Sequence, residues 1–474
     1  MCIRDRPISL KGFEKGDFAM ILGYPGRTNR WMPAQGVAQN INFAYPAWVE
    51  ASKVGMDQMK KHMDQNQEVK INYASKYAGV ANYWKNRQGM IEALKLHGTV
   101  ETKTKTEKKF NKWANKKHNQ AKYGEVIKNL NTYYAATNLQ AMHDNYLMGM
   151  LRSSAFAMAP YRIGNALANY AEANEAKRKE MRPQIQALLD ATYDKMYLPL
   201  EKDVLVAQLN LYATKAKQAG IAPYVSTLAA NNNNNFTQWV NDAFGKSFFA
   251  DKKQVENFLN SPDVALLQND ELFKLSSSLI EKYNQQTDQQ KALNDAYEKN
   301  FRLLVEGLRE SKIAHILYPD ANSTLRLTYG SIQPLPRSTN PNRQPDAPAN
   351  YYTTMDGLVA KHKVGDEEFE NPQRLLDLAK EKDFGRYADK AGYMPINFLS
   401  NNDITGGNSG SPVLNGNGEL IGIAFDGNIE AMAGDVIFDP KLQRTISVDI
   451  RYVLWVVDKY AGATNIIDEL TIVE

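Results

Sequence analysis

Apolar positions along this chain follow three successive patterns. Between residues 7 and 45 they form short runs, as in Asp17-Phe-Ala-Met-Ile-Leu-Gly-Tyr-Pro-Gly26, which predicts a strand closed by a Pro-Gly turn. From Pro46 to Lys312 they recur at steps of three and four, as in Ala135, Leu139, Met142, Tyr146 and Met150, the spacing of helices that bury one face in a core. Proline is sparse in that block, Lys103 to Lys117 reads as a charged helix face, and Asn231 to Asn235 reads as a loop between helices. From residue 313 onward strand and turn signals return. Leu325-Arg-Leu-Thr-Tyr329 alternates, Pro334 to Pro348 is a proline- and asparagine-rich loop, and a short helix is expected around Pro372 to Lys382. Ser411-Pro-Val-Leu414 and Glu419-Leu-Ile-Gly-Ile-Ala-Phe425 flank Asn415-Gly-Asn-Gly418, a hairpin signature. The expectation is a mixed β and α fold, with a large helical block inserted between two β-rich segments.

Composition narrows the function classes. A chain of 474 residues is long enough for roughly two to three domains. Its 57 basic and 53 acidic residues are interspersed, giving a net charge of +4, which makes no electrostatic case for nucleic acid. The single cysteine, Cys2, excludes an internal disulfide framework and a cysteine-based zinc site. No run of about 18 consecutive apolar residues is present, so no membrane span is expected. Met1-Cys-Ile-Arg-Asp-Arg6 has no apolar core of the kind a signal peptide needs, and Pro7-Ile-Ser-Leu-Lys-Gly12 reads as the middle of a domain. The expectation is a start within a longer protein, preceded by six unrelated residues.

The densest chemistry lies at Thr405-Gly-Gly-Asn-Ser-Gly-Ser-Pro412. Attack on a peptide carbonyl needs a hydroxyl on a tight turn, with backbone N–H groups aimed at the oxygen that becomes negative. Ser409 is the expected nucleophile, and the N–H groups of Gly407 and Ser409 are the expected oxyanion donors. The segment does not fit the G-x-S-x-G elbow, because Ser411 stands where the last glycine belongs. A glycine-rich hairpin with incidental serines is the bland alternative; the proline, the hairpin and the position near the C-terminus count against it.

With its flanks Phe398-Leu-Ser-Asn-Asn-Asp-Ile404 and Phe425-Asp-Gly-Asn-Ile-Glu430, this motif resembles the bacterial dipeptidyl-peptidases of the chymotrypsin clan, the seven and eleven types. The resemblance runs from Pro7 onward and includes Gly23-Tyr-Pro-Gly-Arg-Thr28, Ala81-Asn-Tyr-Trp-Lys-Asn86, Tyr318-Pro-Asp-Ala-Asn322 and Lys382-Asp-Phe-Gly-Arg-Tyr387. It implies a chymotrypsin-like double β-barrel with an α-helical domain inserted between the halves. The boundaries then read as an unrelated start over 1–6, the end of a largely missing first barrel over 7–45, the inserted helical domain over 46–312, and a second barrel carrying the nucleophile over 313–474.

The same resemblance implies release of N-terminal dipeptides from peptides with a free N-terminus. Asp426 and Asn82 would bind the α-amino group, with Asn86 one helical turn from Asn82. Gly427 marks the seven type and an uncharged S1 pocket for a hydrophobic P1 residue, where arginine would mark the acidic-selective eleven type. No metal or organic cofactor is implied. A homodimer and export to the periplasm are. The family's triad His and Asp lie upstream of the segment that Pro7 begins, so the chain alone is expected to be nearly inactive. None of the six histidines has the expected context, and Asp17 reads as a surface turn. Two alternatives stand beside this reading: an Asp/Glu-selective dipeptidyl-peptidase, and a non-catalytic peptide-binding protein.

Overall fold

The computed structural model describes residues 6–233, 235–314, 318–335, 350–366 and 368–474. His315 and most of the expected loop Pro334 to Pro348 lie outside the described residues. The chain divides into two compact units, Met1–Met32 with Ile316–Glu474, and Pro33–His315.

The first unit is built on a nine-stranded sheet: β1 (Ile8–Ser9), β2 (Phe18–Gly23), β3 (Arg326–Ser331), β4 (Tyr352–Thr354), β5 (Pro395–Ser400), β6 (Ser411–Leu414), β7 (Leu420–Gly427), β8 (Thr445–Asp449) and β9 (Ile472–Val473). The order is β3-β2-β6-β7-β8-β5-β4, with antiparallel neighbours throughout. β1 lies off this path and pairs in parallel with β7 and β9. β2 is therefore held between strands that follow it by hundreds of residues, with Ile21 opposite Val413 on one side and Thr328 on the other. A bridge from Ile332 to Ser400 joins the two sides of the path, so the sheet curls upon itself. Alternation on β2 turns Ala19 and Ile21 into one core with Ile332, Phe398, Val413, Ile421 and Ala424. Met20 and Leu22 face a second core, which is closed by Trp455 of the C-terminal helix Ile450–Trp455. Burying Trp455 leaves its indole N–H to satisfy, and it donates to the Asp383 carbonyl at 2.9 Å.

The second unit is helical. Its long helices are Tyr45–Met63, Gln67–Leu96, Val126–Ser153, Leu198–Lys215 and Asp288–Ser311. Their starts follow local chemistry: the Asn66 side chain accepts from the N–H groups of Glu68 and Val69, and Thr287 and Gln290 form a reciprocal capping box. Leu147, Met150, Leu205, Leu209, Phe249 and Leu275 are among the residues that fill the main core. Among the described residues, no helix is long and apolar enough to cross a membrane.

Two local expectations give way. The β-rich reading of residues 7–45 is interrupted by a helix at Ala34–Gln39, where Ala34, Val37, Ile41 and Ala44 are buried at helical spacing after Pro33. The stripe in Val126–Ser153 is also displaced: Tyr146 and Met150 are buried, but Ala135 and Leu139 are exposed. The upstream half of that helix packs through Tyr134 against Tyr297 of Asp288–Ser311, whereas its downstream half packs on Tyr45–Met63. Two partners on different sides select two different faces.

Candidate active site

The turn before β6 presents Ser409 to solvent while its neighbours are tied down. Asn408 N–H donates to the Thr405 carbonyl at 3.0 Å, Ser411 N–H to the Asn408 carbonyl at 3.0 Å, and Gly410 N–H to the Ala424 carbonyl of β7 at 2.8 Å. Ser409 Oγ donates to the Phe425 carbonyl at 3.3 Å, a long bond that a reacting group can leave. Ser411, by contrast, is buried, with its hydroxyl packed under Gly23.

Gly407 sits at φ +102°, a region that side chains disfavour. A Cβ there would lie 2.4 Å from the Tyr24 carbonyl oxygen and 2.8 Å from the Gly26 nitrogen, so the Tyr24-Pro25-Gly26 turn presses directly on it. Gly26 N–H donates to the Gly406 carbonyl at 2.7 Å. No peptide bond among the described residues is cis, so the N–H of Gly407 points away from that carbonyl and from Gly26. The Pro-Gly turn thereby fixes which way this expected oxyanion donor faces.

An ion pair behind the turn holds three segments together. Arg30 donates to both oxygens of Asp403 at 3.0 and 2.7 Å, and its Nε donates to the Gly434 carbonyl at 2.6 Å. Tyr318 adds a hydroxyl bond to Asp403 at 2.7 Å. Burial opposes the charge of Arg30, but Asp403 outweighs it and holds the guanidinium above its ordinary value. Burial, and then the adjacent Asp403 carboxylate, push the Tyr318 phenol up to about 12, so it stays a donor. Thr405 donates its hydroxyl to Asp435, and Arg30 N–H reaches Asp320.

β7 forms the opposite wall. Its pairing with β8 slips between Ala424 and Asp426, and this bulge leaves Phe425 and Asp426 exposed beside Ser409. Asp426 Oδ1 accepts from the Gly427 N–H at 2.8 Å, which leaves further acceptor capacity in the carboxylate. Gly427 is hemmed in, because a Cβ there would lie 2.8 Å from the Ala431 Cβ. Buried Asn428 locks the strand end by donating to the Leu442 carbonyl and accepting from Arg444 N–H.

Ser409, Gly407, Asp426 and Gly427 thus stand together on one unit. Asn82 stands on the other, exposed on the helix Gln67–Leu96, with Asn86 half-buried one turn on. No described histidine bonds to Ser409. His362 Nδ1 accepts from Asn371 N–H, His62 pairs with Asp203, and His143 is buried between Asp144 and Tyr212. Arg30, Asp403, Asn428 and Arg444 were not anticipated; Arg30 closes the run Gly23-Tyr-Pro-Gly-Arg-Thr-Asn-Arg30, whose polar end hinted at more than a turn. No group of three or more potential metal ligands occurs among the described residues.

The profile of the Peptidase S46 family matches residues 6–472. A dipeptidyl-peptidase 7 from Capnocytophaga gingivalis is 50% identical over 468 residues, covering 98% of this chain and 64% of the relative. An Asp/Glu-specific dipeptidyl-peptidase from the same organism is 34% identical over 490 residues, covering 99% of this chain and 65% of its own. Among solved structures, Porphyromonas endodontalis DPP11 in complex with the dipeptide Arg-Glu superposes with a TM-score of 0.87 at 29% identity, covering 98% of this chain and 66% of that one. The chain belongs to the Peptidase S46 family. It shares the mixed helical and sheet fold of DPP11 and spans about 64% of the length of the dipeptidyl-peptidase 7 it matches.

The packing around the turn separates its two adjacent glycines. Gly407→Ala is expected to destabilise the unit by about 1–3 kcal/mol or more through its positive φ and the contact with Tyr24. Gly406→Ala, whose Cβ would meet nothing within 4 Å, is expected to change stability by less than about 1 kcal/mol. Urea unfolding of the two variants measures the difference, and equal losses would contradict the described packing.

Proposed function

We propose that this chain carries the nucleophile and amine-binding half of a serine-type dipeptidyl-peptidase that prefers a hydrophobic P1 residue. The observation that carries the reading is the exposed Ser409 on a braced glycine turn, directly beside a bulged strand that projects Asp426. Its 50% identity with a dipeptidyl-peptidase 7 supports the same reading.

In this reading Ser409 Oγ attacks the scissile carbonyl, and the oxygen that becomes negative is received by the N–H groups of Gly407 and Ser409. A His–Asp pair from outside the described surroundings of Ser409 takes the serine proton and passes it to the leaving amine. The double β-barrel with inserted helices is the frame proposed for this chemistry. Asp426 anchors the substrate's ammonium by charge-assisted hydrogen bonding, and Asn82 is proposed as a second anchor. Holding the free amine two residues from the scissile bond restricts the product to dipeptides.

Gly427 leaves the pocket without charge, and burying an apolar P1 side chain there would supply roughly 1.5–3 kcal/mol. The Asp/Glu-selective reading has its own support in the relative at 34% identity. It is the weaker of the two because a side chain at residue 427 would collide with Ala431.

With the upstream segment of the Capnocytophaga gingivalis dipeptidyl-peptidase 7 joined to this chain, Ser409→Ala is expected to abolish dipeptide release. Ser411→Ala is expected to retain most of it. Steady-state hydrolysis of a dipeptidyl substrate checks both; reversed losses would move the nucleophile to Ser411, and no hydrolysis by the unsubstituted protein would favour a binding role. In the same protein, Gly427→Arg with Ala431→Gly to admit it is expected to shift kcat/KM from Leu toward Asp at P1. Asp426→Ala is expected to lower kcat/KM by about 10- to 100-fold for both, the equivalent of about 1.5–3 kcal/mol. Comparison with N-acetylated substrates isolates the amine: an Asp426→Ala protein that still strongly preferred free amines would overturn the anchor.

A further inference from the structure

A second concentration of polar chemistry lies within the unit Pro33–His315. A cleft of about 270 Å³ is lined from the helices Gln67–Leu96, Val126–Ser153, Ala159–Glu172 and Glu175–Tyr193. Lys76, Arg152, Arg162 and Ser154 supply its polar lining, and residues such as Met158 and Ile163 its apolar lining.

Each polar element is left with unused donor capacity except one. Lys76 Nζ is already bound to Glu201 at 2.8 Å, and that buried carboxylate also accepts from Tyr73 and from Ala155 N–H. Lys76 and Glu201 therefore cancel. Arg152 lies over the rings of Tyr83 and Trp48 at 4.3 and 5.7 Å, a stacking that steadies the guanidinium plane while leaving its N–H edge available. Arg162 has no ion-pair partner among the described residues. The 14-residue helix Ala159–Glu172 begins at the cleft with no side-chain cap and no acidic residue in its first turn, so its positive end is unopposed. Ser154 is 1% exposed, and its hydroxyl has no hydrogen-bond partner. A buried hydroxyl without a partner is costly, and one that lines a basic cleft has an obvious use.

We propose that this cleft binds the carboxylate of a peptide, with Arg152 and Arg162 as its charged contacts and the Ser154 hydroxyl and the open helix end as neutral donors. The ligand's identity as a peptide rests on the reading given under Proposed function; the anion site itself rests on these residues alone. Two uncancelled arginines beside the Glu201 carboxylate suit a monoanion better than a doubly charged phosphate. The volume exceeds that of a bare oxyanion, and the apolar lining can pack against the carbon atoms that carry a carboxylate.

The test is isothermal titration of the purified chain with N-acetyl-Ala-Leu as the free acid, as its C-terminal amide, and with inorganic phosphate. The acetyl group removes the amine that Asp426 is proposed to hold. Saturable binding of the acid is expected, weakened by salt, with the amide and phosphate each at least about tenfold weaker. Arg162→Gln, at an exposed position, is expected to lower affinity about tenfold or more with an unchanged urea midpoint, and Arg162→Lys to restore part of it. Asp426→Ala is expected to leave binding unchanged. Equal binding of acid and amide, tighter binding of phosphate, indifference to Arg162→Gln, or loss in Asp426→Ala would each overturn the proposal. Because hydrolysis is not read, failure of the dipeptidyl-peptidase reading and failure of this site give different results.

Discussion

The contact on which the candidate site depends is the press of the Tyr24-Pro25-Gly26 turn against Gly406 and Gly407. One hydrogen bond of 2.7 Å, from Gly26 N–H to the Gly406 carbonyl, sets the rotation of the peptide plane that precedes Gly407. A peptide plane has one N–H and one carbonyl pointing in opposite directions, so fixing one fixes the other. The absence of a side chain at residue 407 is what lets the two segments approach. Preorganised donors of this kind cost no reorganisation at the moment charge develops, which is where electrostatic catalysis gains most.

The turn is itself held by charge. Arg30 follows the Pro-Gly turn by four residues, Asp403 precedes Ser409 by six, and Gly434 closes the segment after Gly427. The bidentate pair and the Nε bond to Gly434 tie these three together in a partly buried setting, where breaking one partner is expensive and the geometry resists drift. Nucleophile turn and specificity wall are therefore braced by the same side chain. The strand that carries Arg30's segment, β2, precedes the helical unit in sequence, yet it sits mid-sheet between β3 and β6.

Much of this was legible in the sequence where the signal is local. The hairpin of β6 and β7 followed from two apolar runs about an Asn-Gly turn, and the exposure of Ser409 beside a buried Ser411 agrees with a glycine-flanked nucleophile turn. The mixed helical and sheet character followed from periodicity. What the sequence concealed is non-local. Nothing near Arg30 announces Asp403, because the two meet only after the helical unit has been passed over. The bulge after Ala424 is set by pairing with β8, and the displaced stripe of Val126–Ser153 reflects a change of packing partner midway along one helix. Periodicity reports that a face is buried, but the neighbour decides which face.

The measurement that bears most directly on the site is mass-spectrometric mapping of a covalent adduct. The probe is a dipeptidyl phosphonate with a free N-terminus and leucine at P1, applied to this chain joined to the upstream segment of its dipeptidyl-peptidase 7 relative. The account predicts one adduct, on Ser409, suppressed when the probe's amine is acetylated. An adduct on Ser411 or elsewhere, or labelling of Ser409 that is indifferent to the amine, would contradict it.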